Sequence, residues 1–213
     1  MRVSNYEITK QRVQKEFLKY DQEEMIRKFS LKADENYLYL KMLNRPYRIS
    51  RLTGLAEWLE DDFESCVEAG FNDALTIYDL LCDSKPYCRA SGKFVNLKSL
   101  SSLQSGSKKL GDGLFKDAEL FDHKESLLSA ACEKMGGMRG GKGDVSYDLP
   151  LFEFLPCRIE FWNSDEEFPA SFQVFFDGNV LDFIRYETVW YAVMYLWDRL
   201  EQEMRSESWN MKR

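Results

Sequence analysis

The chain has 213 residues and a formal net charge of −7. Hydrophobic residues make up 44% of it and aromatic residues 15%, which excludes disorder as a description of the whole chain. The acidic balance argues against broad nucleic-acid binding, because that needs a basic face. No stretch approaches the roughly 20 apolar residues of a membrane-spanning helix, and the start lacks the apolar core of a signal peptide. We therefore expect a cytoplasmic protein that binds neither nucleic acid nor membrane.

Cysteine and histidine usage limits the chemistry. A disulfide framework or a zinc ribbon needs closely paired cysteines. This chain has five scattered cysteines without a Cys-x-x-Cys pair, so we predict reduced and mostly buried thiols. The single histidine, His123, has no nucleophile elbow nearby and is predicted to be a surface residue of a helix. The sequence therefore identifies no catalytic residues, no metal ligands and no particular cofactor.

The first part of the chain predicts helices followed by a hairpin. Apolar residues spaced by three and four over residues 5–29 predict two helices, and Asp21 suits the cap of the second. Residues 1–30 are therefore expected to be a helical segment. Strict alternation in Tyr37–Met42 predicts a strand, with Asn44-Arg45-Pro46 as a turn and residues 47–52 as the returning strand.

The spacing of apolar residues then predicts two further helices between Gly54 and Lys85. Leu55, Trp58, Leu59 and Phe63 mark the first, and the second begins at the predicted cap Asn72. Residues 92–97 predict a short strand, and residues 114–135 a third helical pattern with Phe115 among its core positions. The Ser- and Gly-rich loop between them is a possible domain boundary. Because its flanks are too poor in strands to close separate sheets, we expect one domain over residues 1–213, with residues 205–213 as a frayed tail.

A glycine-rich segment, residues 136–144, is a candidate phosphate loop. Bare backbone N–H groups beside cations bind oxyanions, and the residues concerned are Arg139, Gly140, Gly141 and Lys142. However, Gly143 stands where the P-loop pattern requires Ser or Thr, and the glycines follow a helix instead of a strand. A flexible helix-to-strand connection is the alternative interpretation. The following residues, 144–154, are predicted to be extended, with Pro150 at an edge or a bulge.

The most distinctive stretch is residues 161–177, FWNSDEEFPASFQVFFD. Residues 154–162 and 172–176 predict two antiparallel strands, joined by a turn that carries three consecutive acids. In one interpretation this turn is a solvated loop whose charges protect a strand end. In a second it is a structural corner, in which Asp165 or Glu166 accepts backbone N–H groups. In another it is a pocket for a ligand or a hard cation, with an aromatic wall and acids. The candidate ligand-binding residues are Trp162, Asp165, Glu166, Glu167, Phe168 and Asp177.

The same stretch resembles the closing segment of an uncharacterised bacterial and archaeal family, the domain-of-unknown-function 3786 family. The shared pattern is a strand ending at Trp162, the Asp-Glu-Glu-Phe-Pro-Ala run of residues 165–170, a strand ending in Phe176-Asp177, and a final helix. More loosely, residues 6–200 follow the order of the family. Some members carry a cysteine-rich iron–sulfur segment, which has no counterpart in these residues. The resemblance implies relatives in anaerobes beside iron–sulfur and corrinoid-linked proteins, and no established activity.

We therefore expect an α+β fold: a single domain with a mainly antiparallel sheet built from hairpins and several packing helices. The leading functional hypothesis is a non-catalytic module that binds a small molecule or cofactor, or serves as an accessory protein, in anaerobic metabolism. It predicts a concave pocket bordered by Trp162 and Asp165. The alternatives are a protein–protein interaction or scaffold domain, which includes a homodimer, and a metal-dependent enzyme that uses the Asp-Glu-Glu turn.

Overall fold

A computed structural model describes residues 4–60, 65–101 and 118–210. The chain divides into two compact units. Unit 1 comprises Met1–Arg89 and Asn179–Tyr195, and unit 2 comprises Ala90–Gly178 and Leu196–Arg213. Both combine antiparallel strands with helices, so the predicted α+β fold with hairpins and packing helices is confirmed. The extent of one domain over residues 1–213 remains a prediction.

Unit 1 begins with the two predicted helices, α1 (Asn5–Phe17) and α2 (Gln22–Phe29). The carboxylate of Asp21 accepts two backbone N–H groups in the first turn of α2, so the predicted cap is confirmed. Ser30 ends α2 in the left-handed conformation, and α1 packs against α3, a later helix of this unit (Phe71–Asp83).

The strands of unit 1 run in the order β5–β4–β3–β2, each antiparallel to its neighbour, and β1 also pairs with β2. They are β1 (Lys32–Ala33), β2 (Tyr37–Met42), β3 (Arg45–Ser50), β4 (Ala56–Glu60) and β5 (Ser65–Glu68).

The predicted hairpin is confirmed as β2 and β3, but its turn lies one residue earlier than expected. Leu43 and Asn44 form the turn at φ values of 48° and 59°, as a two-residue hairpin loop with a right-handed strand twist requires. Pro46 lies inside β3, opposite Lys41.

The first helix predicted after Gly54 is wrong, because that segment forms the hairpin of β4 and β5. Leu55, Trp58 and Leu59 have helical spacing, but pairing with β3 decides the conformation. Trp58 lies opposite Tyr47, and the Arg45 guanidinium stacks on its indole at 4.0 Å from the ring centroid. Phe63 lies outside the described residues.

The second helix of that region is confirmed as α3, and it is buried along most of its length. Its N-cap is Gly70 and not Asn72, which is already the second helical residue. Helices α6 (Val180–Phe183) and α7 (Tyr186–Asn210) close the chain. Residues of α7 up to Tyr195 belong to unit 1, and those from Leu196 belong to unit 2.

Unit 2 contains a four-strand antiparallel order, β8–β9–β10–β6, and β7 pairs with β8. The predicted hairpin around the acidic turn is confirmed, as is the short strand before residue 97. The elements are β6 (Phe94–Asn96), α4 (Leu97–Ser101), a 3₁₀ turn (Ala118–Leu120), α5 (Glu125–Lys134), β7 (Met138–Arg139), β8 (Val145–Phe152), β9 (Leu155–Trp162) and β10 (Ser171–Asp177).

The helical pattern predicted over residues 114–135 is only partly realised. Phe115 lies outside the described residues, and α5 is preceded by the 3₁₀ turn and a bend. His123 is exposed, as predicted, but it lies in that bend at φ 52° and not in a helix. A left-handed residue there interrupts the helical hydrogen bonds.

Two further features of the chain bear on the predictions. A register shift between Pro150 and Phe152 fits the bulge, which was one of the two settings predicted for Pro150. Helix α7 continues to Asn210, and a frayed tail over residues 205–213 remains a prediction.

All five cysteines are free, as predicted, but only Cys132 and Cys157 are fully buried. Burial raises the pKa of Cys157 to about 12, so this thiol stays protonated. Among the described helices, none is long and apolar enough to cross a membrane.

Candidate functional site

The acidic corner, which we define as residues 163–168, is held by hydrogen bonds among its own residues. The Asp165 carboxylate accepts the backbone N–H groups of Glu167 at 2.8 Å and Phe168 at 2.7 Å, and its own N–H donates to the Phe168 carbonyl at 2.9 Å. This is the structural role predicted for an acid in this turn. Asp165 to Phe168 are all exposed, and the Phe168 side chain is 65% exposed. The corner is a solvated turn, and this geometry gives no support to a pocket bordered by Trp162 and Asp165.

The start of the corner is tied to the segment that precedes α5. The Ser164 hydroxyl and N–H donate to the Asp122 carboxylate at 2.6 Å and 2.8 Å. The hydroxyl bond is the main reason why the pKa of Asp122 is lowered. The Asn163 side-chain oxygen accepts the His123 N–H at 2.8 Å, and its amide donates to Glu125 at 2.5 Å. These bonds fix the backbone between the 3₁₀ turn and α5.

Trp162 lies at the same strand end as the acidic turn, as predicted, but the chain packs against its ring. Gly143 adopts φ +100° there, and a Cβ at this position would lie 3.2 Å from Trp162 Cε2 and 2.5 Å from the Phe161 carbonyl oxygen. Only glycine permits this close approach. Contact with a ligand remains a prediction for all six candidates: Trp162, Asp165, Glu166, Glu167, Phe168 and Asp177.

Asp177 is not brought to the acidic turn, because it lies at the opposite end of β10, roughly 20 Å away along the strand. Its carboxylate is fully buried and accepts the backbone N–H groups of Ser91 and Gly92, both at 2.8 Å. These bonds hold the chain entering β6 against the end of β10. The structure therefore separates Asp177 from the acids with which the sequence suggested a joint site.

The glycine-rich segment lies on polar side chains of β8 and β9. The Lys142 N–H donates to Glu160 Oε1 at 3.1 Å, and a Cβ at Gly141 would lie 2.6 Å from the same oxygen. Gly140 lies against Asp148, and the Arg139 guanidinium faces the Tyr147 ring at 5.6 Å. A carboxylate thus takes an N–H group that a phosphate would need. The arrangement fits the helix-to-strand connection, and phosphate binding remains a prediction.

Sequence reasoning missed a hydroxyl chain in unit 1, which we define as Asp73, Tyr47 and Tyr195. The Tyr47 hydroxyl lies 2.8 Å from Asp73 Oδ2 and 2.5 Å from the Tyr195 hydroxyl. Because Tyr47 gives its only proton to the carboxylate, Tyr195 donates to Tyr47 and accepts from Arg45 Nη1 at 3.5 Å.

The hydroxyl chain is among the most deeply buried polar groups described, with exposed fractions of 1% for Tyr47, 4% for Asp73 and 6% for Tyr195. Desolvation raises the pKa of Asp73 and, more strongly, that of Tyr47. No local pattern could have revealed it, since its members are separated by 26 and 148 residues. Its members hydrogen-bond to one another inside unit 1.

Sequence reasoning also missed a groove in unit 2. It lies between the start of α5 and the last turns of α7, and its volume is about 240 Å³. Phe121 anchors its floor, since its ring packs against Trp197 at 4.7 Å and Phe172 at 5.2 Å between centroids. The groove is lined by Leu120, Phe121, Lys124, Leu127, Glu201, Met204, Arg205 and Ser208.

The groove was missed for an identifiable reason. Leu120 and Leu127 lie in the segment predicted as one helical pattern, residues 114–135, and Arg205 and Ser208 lie in the segment expected to be a tail. Helix α7 runs past Ser208 to Asn210, and the bend before α5 places Lys124 on the rim.

A family model described as a domain of unknown function (DUF3786) matches residues 21–199. The chain belongs to this family. The resemblance noted in the closing segment is therefore confirmed over most of the chain. The DUF3786 match includes the acidic corner and the hydroxyl chain, whereas Glu201, Met204, Arg205 and Ser208 of the groove lie beyond it. No curated protein and no solved structure matches the chain.

Proposed function

We propose that the chain is a non-catalytic module that binds a small molecule in the groove of unit 2. The observation that carries this proposal is an open groove with an apolar floor and polar groups on its rim, which is the usual composition of a ligand site. Pockets for drug-sized ligands have volumes of about 300–1,000 Å³. The groove volume of about 240 Å³ favours a smaller molecule.

The acidic corner supports this proposal because its first two residues hold one wall of the groove in place. Asp122 and His123, which Ser164 and Asn163 hold, lie directly between Phe121 and Lys124 of the groove. A wall that is fixed before binding loses less conformational entropy when the ligand enters. Asn163 and Ser164 thus support the groove wall without touching the ligand.

The setting of this function is also a proposal. Composition favours a cytoplasmic location, and the family relationship favours a binding or accessory role in anaerobic metabolism (fold-level analogy). The described residues contain no group of three or more His, Cys, Asp or Glu side chains placed to hold a metal ion, so the metal-dependent enzyme has no geometric support.

An interaction domain is the second candidate, because large apolar side chains are exposed. Tyr87 is 96% exposed, Leu52 84% and Met138 73%. Exposed apolar side chains are common singly and become informative when they are contiguous. Native mass measurement with size-exclusion chromatography separates the two candidates, since a concentration-dependent dimer would support an interaction role.

The proposed function is tested by saturation-transfer NMR with indole and 1-hexanol as small apolar probes on the full chain. We expect both to bind, and Leu127→Ser to weaken binding several-fold by removing apolar wall. Leu52→Ser is the matched control, because Leu52 is an exposed leucine in unit 1. A second readout is mass spectrometry of the protein purified anaerobically, in search of a copurifying small molecule.

Failure of both probes to bind, or equal binding to the wild-type chain and Leu127→Ser, would overturn the proposal. Circular dichroism of each variant establishes that the fold is retained, so that a lost signal reports on the groove.

A further inference from the structure

The charged side chains around the groove differ in whether they already have a partner of opposite charge. Both carboxylate oxygens of Glu201 have partners within α7: Oε1 accepts the Trp197 Nε1–H at 3.0 Å, and Oε2 accepts from Arg205 Nη2 at 2.8 Å. The single acid on the rim is therefore neutralised by its own helix. A cationic ligand would have to compete with Arg205 for it.

Lys124 has no such carboxylate partner. Its ammonium donates to the Leu120 carbonyl oxygen at 2.6 Å, and among the described residues it makes no ion pair. An ammonium group has three N–H donors, and the Leu120 carbonyl takes one of them, so two remain for a ligand at this exposed residue. Glu201, Arg205 and Lys124 together give the groove one net positive charge.

Beneath these charges the groove is apolar. Leu120 and Leu127 line one side and Met204 the other, with the Phe121 ring between them. A ligand that complements both the positive rim and the apolar interior has an apolar body and one negative charge. A phosphate monoester carries about −1.5 to −2 near neutral pH, which exceeds the net charge of the rim, whereas a carboxylate matches it.

We propose that the groove binds small amphipathic carboxylates, with the acid group on Lys124 and the hydrocarbon on the Phe121 floor. This inference rests on the proposed function and specifies the class of its ligand. An exposed ion pair contributes about 0.2–1 kcal/mol, so the carboxylate preference corresponds to an affinity gain of about 1.4- to 5-fold.

The test compares three probes with the same six-carbon chain: hexanoate, 1-hexanol and hexylammonium. Affinities are measured by ligand-observed NMR titration of the full chain at low ionic strength. We expect hexanoate to bind more tightly than hexanol and hexylammonium most weakly. The preference for hexanoate should decrease as salt is added, because the pair is exposed.

Lys124→Gln should abolish the preference for hexanoate over hexanol, and Lys124→Arg should restore it. Lys93→Gln is the matched control, since it makes the same charge change at an exposed position of unit 2 outside the groove. Equal affinities of the three probes, or a preference that survives Lys124→Gln, would overturn this inference and leave the proposed function standing. Absence of binding by all three would remove both.

Discussion

The acidic corner of unit 2 and the hydroxyl chain of unit 1 differ in where their polar groups find hydrogen-bond partners and in how exposed those groups are. In the corner, Asp165 bonds to backbone two and three residues away, and its side chain remains exposed. In the hydroxyl chain, Asp73 lies 4% exposed and depends on a tyrosine that is 26 residues away in sequence. Folding therefore costs little free energy at the acids of the corner, because water solvates them in the folded and unfolded chain alike.

Charge density in a sequence is therefore a poor guide to the energetic importance of a polar group. A polar group becomes costly to disturb when tertiary packing removes it from water and supplies a single partner. Tyr47 and Asp73 fulfil this condition, and Glu166 and Glu167 do not. Substitutions in the two regions should therefore have very different effects.

The largest effect is expected for Asp73→Ala. This change leaves the buried Tyr47 hydroxyl without its acceptor and should lower the free energy of unfolding by about 3 kcal/mol. Tyr47→Phe should cost about 2 kcal/mol, because the carboxylate and Tyr195 then each lose one partner. Urea unfolding followed by tryptophan fluorescence measures both. A loss below about 1 kcal/mol for Asp73→Ala would contradict the contrast between the regions.

A smaller effect concerns pH. Desolvation raises the pKa of Asp73 in the folded state above its ordinary value of 3.8, so the folded chain binds the proton more readily than the unfolded chain. The stability that this group contributes is fully present below 3.8 and is lost as pH rises through the raised pKa.

Comparing the wild-type chain with Asp73→Asn separates the effect of Asp73 on the pH dependence of stability from that of the other carboxylates. As pH falls from neutral towards 3.8, the unfolding free energy of the wild-type chain should increase relative to that of Asp73→Asn. Tyr47 and Arg45 face Asp73, Tyr195 contacts Tyr47, and all three are unchanged in both chains. Parallel pH profiles of the two chains would contradict the assignment.

A loss of about 1 kcal/mol is expected for Asp165→Ala, since two hydrogen bonds of an exposed turn are replaced in part by water. Thermal unfolding monitored by circular dichroism measures it. Asp165→Asn is the control, because its side-chain oxygen still accepts both N–H groups and should restore most of the stability. A loss as large as that of Asp73→Ala would show that the corner is not the less important region.

The smallest effect is expected for Glu166→Gln, which should change the free energy of unfolding by less than about 0.5 kcal/mol. Glu166 is exposed and belongs to the part of the turn that Asp165 already closes. The measurement is again thermal unfolding. A clear loss of stability or of probe binding in this variant would restore the acidic turn as a candidate site.

The hairpin of β9 and β10 was predictable because alternation, turn residues and an Asp-closed corner all act over a few residues. Sequence signals of the same short range identified the Asp21 cap and the hairpin of β2 and β3. It failed at β4, where Leu55, Trp58 and Leu59 fit a helical period although pairing with β3 decides the conformation. It also failed at the groove, because the end of α7 and the bend at His123 are set by packing.

The α+β class, most helices and hairpins, and the exposed acidic turn can be predicted from the sequence, since each depends on side-chain period or on bonds between near neighbours. Long-range packing is needed to place Asp177 apart from Asp165, to link Tyr195 through Tyr47 to the buried Asp73, and to form the groove between α5 and α7. These features join residues distant in sequence. Such contacts form only when burial of apolar surface brings whole elements together, and no local pattern records them.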